Sequence, residues 1–163
     1  MITFKKVKVY FLLIFVLVNI FFIAPCYSSP LREDFFKRAL DLSSEGNFNL
    51  ALQEWNNYLD SYPDDAAALS NRGNVRLVIG DVEGSIDDQN KAIIIDPNEI
   101  DPYINRGIAE EALGLWSQAK KDYMFVISKD SENFSALYNL ANVEGSTSQW
   151  KKARDLFSEA ALY

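Results

Sequence analysis

Residues 66–99 read AAALSNRGNVRLVIGDVEGSIDDQNKAIIIDPNE, and this stretch decides the fold. From Ala66 to Ile79, apolar or small residues return near the helical period at Leu69, Gly73 and the Leu77–Val78 pair. Gly80 and Asp81 then punctuate the chain, because a glycine there can take positive φ and end a helix. From Val82 to Ile95 the period resumes through Ser85, Gln89, Ala92 and Ile93. Asp96-Pro97-Asn98 closes the unit, since proline cannot continue a helix. Asp101 as N-cap, with Pro102 at the first helical place, opens the next unit.

Outward from this stretch the unit recurs every 34 residues. Gly46, Gly80 and Gly114 form one column, with Ser148 in the fourth place. Ala51, Ser85, Ala119 and Ala153 form a second, and Phe35, Leu69, Tyr103 and Leu137 a third. Pro63 and Pro97 form a fourth, broken by Ser131. A period of this length predicts stacked helical hairpins, none of which can bury its apolar face alone. The predicted fold is an all-α, right-handed superhelical solenoid over 32–163, with repeats at 32–65, 66–99, 100–133 and an incomplete 134–163. Such a stack makes a concave surface and seldom a catalytic cleft.

The columns resemble the tetratricopeptide repeat: a large residue, a small one at the helix crossing, a turn glycine, an alanine, an aromatic, a small residue and a proline. The second repeat supplies Leu69, Gly73, Gly80, Ser85, Gln89, Ala92 and Pro97. The third supplies Tyr103, Gly107, Gly114, Ala119, Tyr123, Val126 and Ser131. The first has Phe35, Ala39, Gly46, Ala51, Trp55, Tyr58 and Pro63, and the fourth Leu137, Ala141, Ser148, Ala153, Phe157 and Ala160. Three departures carry local expectations. Gln89 replaces the aromatic, so the second repeat should pack less tightly. Tyr58 is large where a small residue is usual, so the first repeat is expected to be splayed or rotated against the second. Ser131 lacks the proline stop, so Asn133 is expected to end that helix. A weaker likeness runs through N-R-G-N-V-R from Asn71 and N-R-G-I-A-E-E-A-L-G-L-W from Asn105, which look like repeat proteins of cyanobacteria and plastids.

Ahead of the repeats stands a different segment, 1–28. Lys5, Lys6 and Lys8 precede an apolar run from Val9 to Ile23 interrupted only by Asn19. This reads as a cleaved secretory signal or as a retained membrane anchor, being close to the ~20 residues a spanning helix needs. Either way the chain is expected to be exported or membrane-tethered, in a periplasm or thylakoid lumen if the cyanobacterial likeness holds. Cys26 fits a lipoprotein site poorly because Pro25 precedes it.

The chain holds 16 lysines and arginines, 23 acids and no histidine, for a net charge of −7. The first 28 residues carry no acid, so the repeats are more negative still. This excludes nucleic-acid binding through phosphate neutralisation. No residue set points to a metal, a cofactor or nucleophilic chemistry.

The resemblance places Asn71, Asn105 and Asn139 on a face that lines the concave groove, and implies an asparagine ladder gripping an extended peptide backbone. An amide suits this because it donates and accepts at once. The alternative is a column of solvated asparagines. Lys37 holds this place in the first repeat. Asn74, Ile108 and Asn142 lie one turn further on, and Ser70, Ile104 and Tyr138 one residue earlier, which describes a groove polar but uncharged. Some relatives grip a partner's C-terminal carboxylate with lysine and arginine. Phe36 and Leu40 stand where that clamp needs lysine and asparagine, which argues against it here.

Another column reads Arg38, Arg72, Arg106 and Leu140, and sixteen residues on stand Glu54, Asp88, Asp122 and Leu156. When arginine becomes leucine, so does the acid. This predicts an exposed salt bridge within each of the first three hairpins, acting as a register device, and an apolar contact in the fourth. Phe48, Val82, Trp116 and Trp150 begin the second helices and are expected to pack between neighbouring hairpins. The acid pairs Asp64-Asp65, Asp87-Asp88 and Glu110-Glu111 leave a hydrolase as a remote alternative. The main expectation is a non-enzymatic scaffold holding a protein or peptide partner. The alternative is an assembly subunit of a membrane-associated complex, photosynthetic if the cyanobacterial and plastid likeness holds, that works through its ends and convex face. Phe157, Ala160, Ala161, Leu162 and Tyr163 make an apolar finish, so either a dimer through the uncapped C-terminal hairpin or a shortened form of a longer repeat protein is expected.

Overall fold

The computed structural model of the chain describes residues 30–163. Eight helices occur among them: α1 (Pro30–Ser44), α2 (Phe48–Ser61), α3 (Ala66–Val78), α4 (Val82–Ile95), α5 (Asp101–Ala112), α6 (Trp116–Lys129), α7 (Phe134–Ser146) and α8 (Trp150–Ala160). The 1–28 segment lies outside the described residues. No helix among those described is long and apolar enough to cross a membrane.

Helices pair as hairpins, α3 with α4, α5 with α6, and α7 with α8. First helices also touch the first helix of the next hairpin, α3 with α5 and α5 with α7, so they form one continuous face. Each hairpin turns at the same column. Gly46, Gly80 and Gly114 have φ of 78°, 91° and 71°, and Ser148 takes φ of 64° without being glycine. A left-handed residue here lets the following amide reach back to an orphan carbonyl, as Asp81 N does to Arg76 O at 2.8 Å.

Small residues at the crossings are required by contact. A Cβ on Gly107 would lie 2.6 Å from the Tyr123 ring, and one on Gly73 2.6 Å from the Gln89 amide. Gln89 is wholly buried in its aromatic column, and its Nε2 donates to Ser70 O at 3.0 Å while its Oε1 has no partner. The second hairpin thus exchanges ring packing for a polar tie that is half satisfied. Tyr58 is buried too. It packs edge-on against Phe36 and Trp55, and its hydroxyl donates to Asp65 at 2.7 Å, so the extra bulk is seated against the N-cap of α3.

Three sequence expectations are corrected. Asn133 does not end α6, which stops at Lys129; it begins α7 as an N-cap, accepting from Ala136 N at 3.0 Å. The N-cap of α5 is Ile100, which puts Asp101 and Pro102 in the first turn. Trp116 is half-buried against the core around Tyr123, but Trp150 is 70% exposed and does not pack between hairpins.

Candidate interaction surface

The face made by the first helices carries the asparagine column. Between α3 and α5 lies a cavity of about 290 Å³ lined by Ser70, Asn71, Asn74 and Asn105, with Ala66, Ala67 and Pro102 as its apolar walls. The cavity exists because three successive turns of the first helices present small or amide side chains where packing elsewhere puts large ones. Asn105 Nδ2 donates to Ser70 Oγ at 3.2 Å, which ties the two hairpins across the floor. Asn71 Nδ2 donates to Ala67 O at 2.9 Å, within its own helix. Asn74 Oδ1 accepts from Gln89 Nε2 at 3.4 Å. Asn71 and Asn74 also line a second cavity of about 270 Å³, toward Leu40, Phe48 and Val78.

This groove is not uncharged. Asp96, Glu99 and Asp101 line the cavity as well, because the linker between the second and third hairpins folds along its edge. Asp96 and Glu99 each accept a local backbone amide, from Asn98 and Ile100. The other predicted groove residues lie apart from the cavity. Ile108 is exposed, Asn139 and Asn142 are half-buried on α7, and Tyr138 stacks on Phe134 and meets Phe157 edge-on.

The arginine column is locked. Arg72 holds Asp88 with two bonds, Nε to Oδ2 at 2.8 Å and Nη2 to Oδ1 at 2.7 Å. Arg106 holds Asp122 the same way, with both bonds at 2.7 Å. Arg38 meets Glu54 at 3.0 Å while two-thirds exposed. The second and third bridges are not exposed: Asp88 is wholly buried and Asp122 nearly so. Arg76 adds a second cation at 3.1 Å from Asp88. Both half-buried arginines, Arg72 and Arg106, also reach the preceding hairpin. Nη1 of Arg72 donates to Asn56 Oδ1 at 3.0 Å, and that of Arg106 to Asn90 Oδ1 at 2.7 Å. Asn56 and Asn90 are 34 apart, with Met124 next in the column, so a periodic signal for this tie was present but unread. At the fourth hairpin Leu140 and Leu156, with Met124 of α6, instead form the apolar part of a cavity of about 410 Å³ that Lys120, Glu144, Lys152, Asp155 and Glu159 also line. There Lys120 Nζ donates to Glu144 Oε1 at 2.6 Å.

Titration follows this packing. Burial, and then the charge of Asp122, push the Glu110 carboxyl up to about 7 against the pull of Arg106 and Lys121. Glu110 Oε2 has no hydrogen-bond partner. Burial also pushes Glu111 up, although the Tyr123 hydroxyl that donates to it works the other way. The hydrogen bond to Asp122 raises Arg106 further.

A tetratricopeptide repeat profile matches residues 36–100. A FAM10 family protein of Arabidopsis thaliana is 31% identical over 101 residues, 61% of this chain and 23% of that protein. Tetratricopeptide repeat protein 6 of Homo sapiens is 28% identical over 123 residues, 76% of this chain and 24% of that protein. Among solved structures, the first tetratricopeptide domain of Spaghetti (RPAP3), bound to an HSP90 peptide, superposes with a TM-score of 0.69 at 21% identity, covering 72% of this chain and 93% of that one. The chain is a tetratricopeptide-repeat protein. It spans about a quarter of the length of the curated relatives it matches.

In this tetratricopeptide-repeat protein the acid pairs are divided by the helices that carry them. Asp87 faces solvent while Asp88 is bound by two arginines. Asp65 caps α3 beside an exposed Asp64, and Glu111 accepts from the Tyr123 hydroxyl while Glu110 Oε2 has no hydrogen-bond partner. No group of three metal-binding side chains occurs among the described residues.

Proposed function

We propose that this protein is an interaction scaffold that holds an extended segment of a protein partner across α3 and α5. The observation that carries this reading is the amide-lined cavity at Asn71, Asn74 and Asn105, on a face where the first helices run side by side. A peptide's backbone offers alternating donors and acceptors, and side-chain amides match both. The RPAP3 domain, of the same fold, is bound to a peptide, which supports the same use of the fold here. The locked arginines leave no cationic clamp on α3 and α5. The test is to change Asn71, Asn105 and Asn139 together to alanine in the tagged native protein. Partner recovery should fall while thermal stability stays nearly unchanged; unaltered recovery refutes the ladder.

The same proposal includes export or membrane tethering by 1–28, supported by the basic start and the apolar run that follows it. Fractionation with and without that segment tests it. A second reading, assembly through the fourth hairpin, is favoured by the exposed Phe134, Tyr138 and Trp150. Light scattering across a concentration series distinguishes a C-terminal dimer from a monomer.

A further inference from the structure

We infer that the cavity between α3 and α5 takes a lysine or arginine side chain of the bound segment, so that the partner is a basic, extended peptide. This rests on the reading that the first-helix face binds a segment at all. Its independent support is the cavity's hydrogen-bonding inventory. Asn71 and Asn105 each spend one of two amide hydrogens on a protein acceptor, Ala67 O and Ser70 Oγ, and keep Oδ1 and one hydrogen for a ligand. Asp96, Glu99 and Asp101 add carboxylates, which tip the balance toward acceptors, and none of the three forms an ion pair among the described residues. A site made mainly of acceptors calls for a ligand made of donors. Ammonium and guanidinium carry three and five N–H donors and no acceptor.

The rest of the molecule reinforces the sign. Arg72, Arg76 and Arg106 of α3 and α5 are engaged with Asp88 and Asp122, so no cation of these helices is left to fill the cavity. A recess lined by one sign of charge with apolar walls focuses the field into its opening and raises the local concentration of cations. A volume of about 290 Å³ holds one long side chain, not a folded element. The backbone on either side of that side chain then lies along the asparagine column.

The test uses fluorescence anisotropy on the full chain with three labelled twelve-residue peptides. One alternates lysine with alanine, one glutamine with alanine, and one glutamate with alanine. The lysine peptide should bind at least about tenfold more tightly than the glutamine peptide at low ionic strength, and the advantage should shrink as salt is added. The triple substitution Asp96→Asn, Glu99→Gln, Asp101→Asn should remove the advantage and leave the glutamine peptide unaffected. Glu99→Gln alone, which leaves both linker aspartates in place, should give an intermediate loss. A lysine preference that survives the triple substitution overturns the inference. Equal binding of lysine and glutamine peptides, both lost in Asn71→Ala with Asn105→Ala, overturns the basic preference and keeps the groove. Failure of all three peptides to bind overturns the groove and the inference with it.

Discussion

The second and third hairpins are each tied to their predecessor through an arginine that grips a buried aspartate, whereas in the fourth those same columns are apolar and the ionic tie to the hairpin before is a different one, Lys120 Nζ donating to the buried Glu144 Oε1 at 2.6 Å. In the former, an arginine on the first helix grips an aspartate on the second and an asparagine on the hairpin before. In the fourth, leucine, leucine and methionine occupy the same three columns. The geometry is the same and the physics is opposite. A fork of five donors is directional and fixes the register of the stack, but it removes charges from water. An apolar triad costs no desolvation of charge, but tolerates sliding and leaves a cavity. The ionic hairpins therefore flank the amide-lined groove, where register matters, and the apolar one lies away from it.

The comparison can be broken most sharply at Asp88. Asp88→Ala leaves two guanidinium groups facing each other without their carboxylate, and should cost about 3 kcal/mol in urea unfolding. Installing the fourth hairpin's set in the second, Asn56→Met with Arg72→Leu and Asp88→Leu, should restore most of that loss, to within about 1 kcal/mol of wild type. If the triple variant is as unstable as Asp88→Ala, the ionic tie is a net source of stability and the comparison fails.

A second contrast lies in one column, where Arg76 of the second hairpin is replaced by Glu110 of the third. Arg76 joins Asp88, whereas Glu110 shares its surroundings with Asp122 and titrates near 7. For an acid with a raised folded pKa the unfolded chain loses its proton first. Stability contributed by the protonated group is therefore complete below the ordinary glutamate range and declines as pH rises to about 7. Glu110→Gln should abolish that decline and gain roughly 1–3 kcal/mol at pH 8, with no gain at pH 4. Melting curves across pH, wild type against variant, check this; a gain independent of pH sinks it. The smallest effect belongs to the first hairpin. Arg38→Ala removes an exposed bridge and should change stability by less than about 0.5 kcal/mol.

Much of the fold could be read from the chain because each unit is a local problem. The turn glycines and the sixteen-residue offset from Arg72 to Asp88 concern residues within one hairpin, whose distances follow from helix geometry, whereas the aspartate taken as a cap, Asp101, stands one place past the N-cap Ile100. Harder to read were contacts made between units. Nothing within their own hairpins marks Asn56 and Asn90, yet each receives an arginine from the next hairpin. Trp150 shares a column with Trp116, but only Trp116 has a packed core beside it.

By itself, then, the sequence determined the hairpin, its period and which residues stand at equivalent places, since these follow from helix propensity, turn chemistry and repetition. The tertiary structure alone decided what each equivalent place experiences. Asp88 is buried and Glu54 is not, because burial depends on the neighbouring hairpins. The linker from Asp96 to Asp101 lies along the groove and makes an amide cavity acidic. Sequence spacing carries no record of that folding-over, because the residues that meet across the cavity belong to different repeats and are brought together only by stacking.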